Sequence, residues 1–310
     1  MSLKQEDNLA MFSAFRSKNL FTVPKVLMLG ISMSSALRVG SSSNCKEAVN
    51  YGPKPLSGCN MMIFGGSSGI GLATAIEATR QGAASIYIIG RSEEKLAAAK
   101  KEIEAVERIT ASDKVNVITA SVDVTDENKV KSFMATVPDD SIDHLVTTPG
   151  NSMKLGNLVA NKRSCEDVKK QLDMKYFAQL GPVLAATDKM KRHGSITMTS
   201  GVLSRRTGRG NDALAISNAA IEVSVRCLAN DYGFDGKQVR VNCLSPGMTL
   251  TGVYGDSDWA KDYQARSAAA VPLQRNGLPE EMAHAIIFLQ TNTFITGFTL
   301  DCDGGNIIKP

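Results

Sequence analysis

Residues 61–71 read Met-Met-Ile-Phe-Gly65-Gly66-Ser67-Ser68-Gly69-Ile70-Gly71. An apolar run that passes into glycines and then into a helix-forming stretch brings backbone N–H groups and a helix N-terminus together, which is a site for phosphate. The spacing Gly-x-x-x-Gly-x-Gly predicts that Gly65, Ser67, Ser68, Gly69, Ile70 and Gly71 cradle the pyrophosphate of a dinucleotide. The next apolar run ends Ile88-Ile89-Gly90-Arg91-Ser92, without the carboxylate that would bind a ribose 2′-hydroxyl and repel a 2′-phosphate. Arg91 and Ser92 offer a cation and a hydroxyl instead, which predicts NADP(H) over NAD(H). Cys45, Cys59, Cys165, Cys227, Cys243 and Cys302 form no Cys-x-x-Cys pair and lie apart from His144, His193 and His284. That scatter predicts a reducing compartment and no metal.

The elements that must position these residues alternate along the chain. Short apolar runs at 61–64, 85–89, 115–120, 143–146, 195–199, 239–244 and 298–301 are separated by amphipathic stretches at 71–81, 93–109, 127–137, 166–191, 213–232 and 280–290. Strands joined by helices need right-handed crossovers, so the predicted fold is α/β: a doubly wound parallel sheet with helices on both faces, built from 58–310 as a single domain. With 43% hydrophobic and 21% charged residues the chain is neither a disordered polymer nor a polytopic membrane protein. Residues 1–57 hold seven Lys/Arg against three Asp/Glu, which leaves 28 of each sign in 58–310. A balanced core excludes nucleic acid as an expected partner. Residues 8–46 lack Asp and Glu and carry scattered Arg and Lys among Ser, Leu, Met and Phe, as in an organelle transit segment, although Glu6 and Asp7 sit near the start. Their most apolar run, 26–33, is too short to span a bilayer. Residues 1–57 are therefore read as a leader, disordered or transit-like, on an otherwise cytoplasmic protein.

Later landmarks sharpen the reading. Ser121-Val-Asp123-Val-Thr-Asp126 ends one predicted strand, and Thr147-Thr148-Pro149-Gly150 ends the next. Ser245-Pro246-Gly247-Met-Thr249-Leu-Thr251, Thr296-Gly297 and Asp303-Gly304-Gly305 follow in order. Together with the glycine loop, these resemble the short-chain dehydrogenase/reductase superfamily over about residues 58–306. The resemblance implies that Asp123 bonds the adenine amino group, that Gly150 borders the cofactor where the family has Asn-Asn-Ala-Gly, and that Pro246, Gly247, Thr249 and Thr251 hold the nicotinamide end.

It also implies a Ser, Tyr, Lys and Asn that here fall on Gly201, Leu214, Asn218 and Lys175. All four positions are changed, and Thr199-Ser200-Gly201, Arg205-Arg206 in the following loop and Asn218-Ala-Ala-Ile-Glu222 together resemble an atypical branch of the superfamily that lacks the Tyr/Lys pair. Some fungal members of that branch reduce an iminium with NADPH and guide a Diels-Alder cyclisation, and an iminium carbon takes hydride without needing a proton. Tyr254 and Lys261 have the six-residue gap of some enoyl reductases but follow the Pro-Gly turn, in the expected lid at about 248–275. The candidate catalytic residues are therefore Asp173, Lys175, Tyr176 and Ser200. Asp173 and Tyr176 are three apart and share a helical face; Asp173 would stabilise a cationic substrate, and Lys175 would donate a proton if burial lowers its pKa. Ser200 would point away from the pocket unless its strand bulges.

The resemblance implies an NADP(H)-dependent oxidoreductase acting on a small carbonyl or iminium compound, in specialised metabolism and as a homodimer or homotetramer. The alternatives are a non-redox cyclase or isomerase and a cofactor-binding pseudoenzyme.

Overall fold

β1 (Asn60–Phe64) alternates its side chains between two cores, as the two-residue period of a strand requires. Met61 and Ile63 pack with Ile86, Ile88, Ala75, Ala78, Ile286 and Ile287 on one face. Met62 and Phe64 pack with Leu145, Ile196, Met198, Ile221 and Val225 on the other. The computed structural model describes residues 55–107, 114–150, 156–208 and 210–308. The strands that follow β1 are β2 (Ser85–Gly90), β3 (Asn116–Ser121), β4 (Ile142–Thr147), β5 (Met190–Thr199), β6 (Arg240–Pro246) and β7 (Thr299–Cys302). They form one parallel sheet in the order β3-β2-β1-β4-β5-β6-β7. Helices α1 (Gly69–Arg80), α2 (Glu93–Glu104) and α8 (Pro279–Thr291) supply the first core. Helices α3 (Glu127–Met134), α5 (Ala178–Ala185) and α6 (Asp212–Phe234) supply the second. The doubly wound fold is as expected, and the chain reverses direction across the sheet between β1 and β4. In such sheets the ligand crevice opens at the carboxyl ends of those two strands.

Three local features depart from the sequence reading. The stretch 166–191 is not one helix: α4 (Cys165–Leu172) runs into a π-helical turn, Asp173–Phe177, and then into α5, and Met190 already begins β5. Helix α7 (Asp258–Ala269) lies in the expected lid, where no helix was read. Core packing also begins before residue 58, since Leu56 is fully buried against the first core and its backbone N–H bonds Gln81. Residues 1–54 of the expected leader lie outside the described residues.

Candidate active site

The glycine loop is built for close approach. Gly65 has φ +86°, a left-handed conformation that only glycine adopts at little cost, and an added Cβ would stand 2.4 Å from Thr148 Oγ1. At Gly71 an added Cβ would stand 2.2 Å from the Gly65 oxygen. Thr148 fixes the loop by donating to the Phe64 oxygen at 3.1 Å. Ser68, which precedes α1, makes no side-chain capping bond, so the first amides of the helix face the loop without that competitor. This uncapped helix start and glycine cradle fit a pyrophosphate.

A cleft of about 350 Å³ runs along the carboxyl ends of the strands. Of the expected cofactor residues, Gly65, Ser67, Ser68, Gly69, Ile70, Arg91, Asp123, Gly150, Pro246, Gly247, Thr249 and Thr251 line it. Gly71 sits behind the loop. Ser92 is set back as well, its Oγ accepting from Lys95 N at 3.3 Å to cap α2. Asp123 accepts from Thr125 N and Oγ1 at 3.1 and 2.8 Å, and these bonds hold its carboxyl below the usual range. Thr199 Oγ1, on the cleft lining, is buried without a hydrogen-bond partner. A buried orphan there suits a ligand that supplies the missing bond. Among the described residues, no three His, Cys, Asp or Glu converge as metal ligands.

The four catalytic candidates separate. Lys175 lines the cleft, 9% exposed, and its Nζ donates to the Ser200 oxygen at 3.2 Å. Burial pushes its ammonium down to about 8. Asp173 is exposed and does not line the cleft. Tyr176 turns toward α6, where its hydroxyl shares a 2.9 Å hydrogen bond with Ser224 Oγ. The expectation that Asp173 and Tyr176 face the pocket together fails because the π turn carries an extra residue per turn and rotates its side chains away from helical register. Ser200 follows the last residue of β5, and its hydroxyl donates to Glu222 Oε1 at 3.0 Å, so only its carbonyl meets Lys175.

Residues not singled out from sequence complete the site. Gln179 is fully buried and joins the ends of β4 and β5: its amide N donates to the Thr199 and Pro149 oxygens at 2.8 and 3.1 Å, and its oxygen accepts from Thr147 Oγ1 and Thr199 N. Glu222 is a buried carboxylate that also accepts from Ser204 Oγ and pairs with Arg205, which is anchored to Asp301 and Ser245. Arg205 is therefore structural. Leu214, Met174, Met248, Val253 and Tyr254 give the cleft an apolar wall. Tyr254 reaches the cleft although its spacing to Lys261 was set aside; Lys261 is exposed, and burial pushes the Tyr254 hydroxyl up to about 12. Its ring neighbours Tyr263, centroids 5.5 Å apart, and Tyr263 stacks on Trp259 at 5.4 Å.

Comparison with known proteins agrees with this architecture. A relative, the short-chain dehydrogenase/reductase ATR9 of Stachybotrys chlorohalonatus, is 28% identical over 82% of this chain and 99% of its own. The MalC reductase/Diels-Alderase of Malbranchea aurantiaca superposes with a TM-score of 0.72 at 25% identity, covering 82% of this chain and 97% of that one. A small-chain dehydrogenase solved in complex with NADPH gives a TM-score of 0.63 at 27% identity, covering 81% and 100%. The family model described as enoyl-(acyl carrier protein) reductase matches residues 65–306. With the parallel sheet, the glycine loop and the ordered landmarks, this match makes the chain a member of that family, within the short-chain dehydrogenase/reductase superfamily.

Proposed function

We propose that the protein is an NADP(H)-dependent reductase of a small, largely apolar organic molecule, working without the usual Tyr/Lys pair. The observation that carries this reading is the polarity of the cleft: a glycine cradle and Arg91 at one end, and at the other an apolar wall around one buried cation, Lys175. In this reading Gly65, Ser67, Ser68, Gly69 and Ile70 bind the pyrophosphate with Gly71 behind them, Arg91 the 2′-phosphate with Ser92 capping α2 next to it, Asp123 the adenine, and Gly150, Pro246, Gly247, Thr249 and Thr251 the nicotinamide end. When bound, the reduced cofactor supplies a hydride. Leu214, Asn218 and Gly201 stand where Tyr, Lys and Ser are expected, so the chain's own proton chemistry rests on Lys175. The likeness to a dehydrogenase in complex with NADPH supports the cofactor assignment, and the likeness to a reductase/Diels-Alderase makes cyclisation the alternative outcome. Helix α6 leaves Ile216 and Val223 exposed, seven residues apart on one stripe, which supports a homo-oligomer.

The test is a titration of the full chain and Arg91→Ala with NADPH and NADH, followed by absorbance loss and product mass on carbonyl and iminium candidates. NADPH is expected to bind at least about tenfold more tightly, roughly 1.4 kcal/mol, and Arg91→Ala to remove the preference. Equal affinity in the wild type would sink the assignment.

A further inference from the structure

An ammonium carries one charge and three N–H donors, and burying it is costly unless both are met. Among the described residues Lys175 meets neither requirement in full: its one hydrogen bond goes to the Ser200 oxygen, and it has no carboxylate partner. Gly150 borders Nζ, and because it has no side chain it leaves open a space that a Cβ would fill in van der Waals contact with Nζ, at 3.7 Å. Met174, Leu214 and Met248 line the same cleft, so a charge there is poorly screened. A buried cation with free donors in an apolar cleft is a site for negative charge on a ligand.

We propose that Lys175 is the proton donor to an oxyanion formed on the substrate, and that the substrate is a neutral ketone or conjugated carbonyl rather than an iminium. This rests on the reductase reading above. The carbonyl carbon accepts hydride with its electron pair from the reduced nicotinamide, and the π pair of the C=O bond moves to oxygen. The Nζ–H bond breaks, its proton passes to that oxygen, and Nζ keeps the pair as a neutral amine that regains a proton from water. The carbonyl is reduced and the nicotinamide oxidised. An iminium would instead bring a second cation against Lys175, and Asp173, the carboxylate that would have answered it, is exposed outside the cleft.

The probe is p-nitrophenol, whose absorbance separates phenol from phenolate, titrated into the full chain at neutral pH. Wild type is expected to bind it as the phenolate. Lys175→Met is expected to lose at least tenfold in affinity and the phenolate signal, whereas Lys175→Arg, which keeps the charge but cannot release a proton at this pH, retains the signal. Both variants should lose about 10² to 10⁴ in kcat for ketone reduction. Phenolate binding and ketone turnover retained in Lys175→Met would overturn the proposal, as would faster turnover of iminium than ketone by wild type, or a larger loss in Tyr254→Phe than in Lys175→Met. Absence of NADPH binding by wild type, read by cofactor fluorescence, removes the reductase reading on its own, because the phenolate signal does not depend on it.

Discussion

At Lys175 the chemistry and the stability of the protein pull in opposite directions. Its ammonium titrates at about 8 in the fold against 10.5 outside it, so the unfolded chain binds the proton more tightly. The resulting destabilisation is fully present below pH 8 and disappears as pH rises toward 10.5. Lys175→Met should therefore stabilise the protein at pH 7, on the order of 3 kcal/mol from the size of the shift, and raise its melting temperature while lowering turnover. A melting temperature that falls would show that the lysine is structural. Reduction by the wild type should decline as pH rises through about 8, since the donor is then neutral; Cys243, the titratable neighbour acting on it, is pushed up to about 12 by burial and stays uncharged in that range. A flat profile from pH 7 to 9 would exclude Lys175 as donor. A triple variant Gly201→Ser, Leu214→Tyr, Asn218→Lys should gain alcohol oxidation that the wild type lacks; Gly201→Ser alone should not, because its Cβ would sit 2.9 Å from Asn218 Nδ2. The place of Lys175 at the cleft was legible by counting back from Met190, although Met190 begins β5 rather than ending a helix. Asp173 and Tyr176 were misread because a three-residue spacing means one face only in an unbroken α-helix.

Among the elements, the strands and their partner helices were legible wherever an apolar run switched from a two-residue to a helical period, as at Met61–Phe64 into α1. The π turn left no such mark, since one inserted residue does not change composition. The start of β5 at Met190 was hidden for a related reason: Lys191 is only partly buried and reads as the last charged residue of a helix. Gln179 carried no sequence signal either, because its four bonds join residues distant in sequence. The junction of β1 and α1 yields the sharpest prediction at this scale. Gly71→Ala would place a Cβ 2.2 Å from the Gly65 oxygen, a backbone atom that cannot swing aside. It is expected to cost about 1–3 kcal/mol of stability and at least tenfold in NADPH affinity, measured by thermal melting and fluorescence titration. Unchanged affinity would mean that the loop does not approach a phosphate closely.

For the molecule as a whole, the sheet shields two cores, and the boundary of the chain that builds them falls at or before Leu56. A chain beginning at Val49 is predicted to keep the melting temperature and cofactor affinity of the full protein. Leu56→Ala in either form should cost about 2 kcal/mol or more, because that side chain is fully buried. A large loss in the truncated chain would show that earlier residues support the core. The sequence announced the two faces through alternation but not the first packed residue, since a lone leucine among glycine, proline and serine has no period. The molecule contains one tryptophan, Trp259, and it is stacked on Tyr263, whose other neighbour is the cleft-lining Tyr254. Tryptophan emission of the unlabelled protein therefore comes from a single indole, two rings away from the reaction space. A ligand that shifts Tyr254 is expected to change that emission, so its binding can be timed by stopped-flow without any added dye.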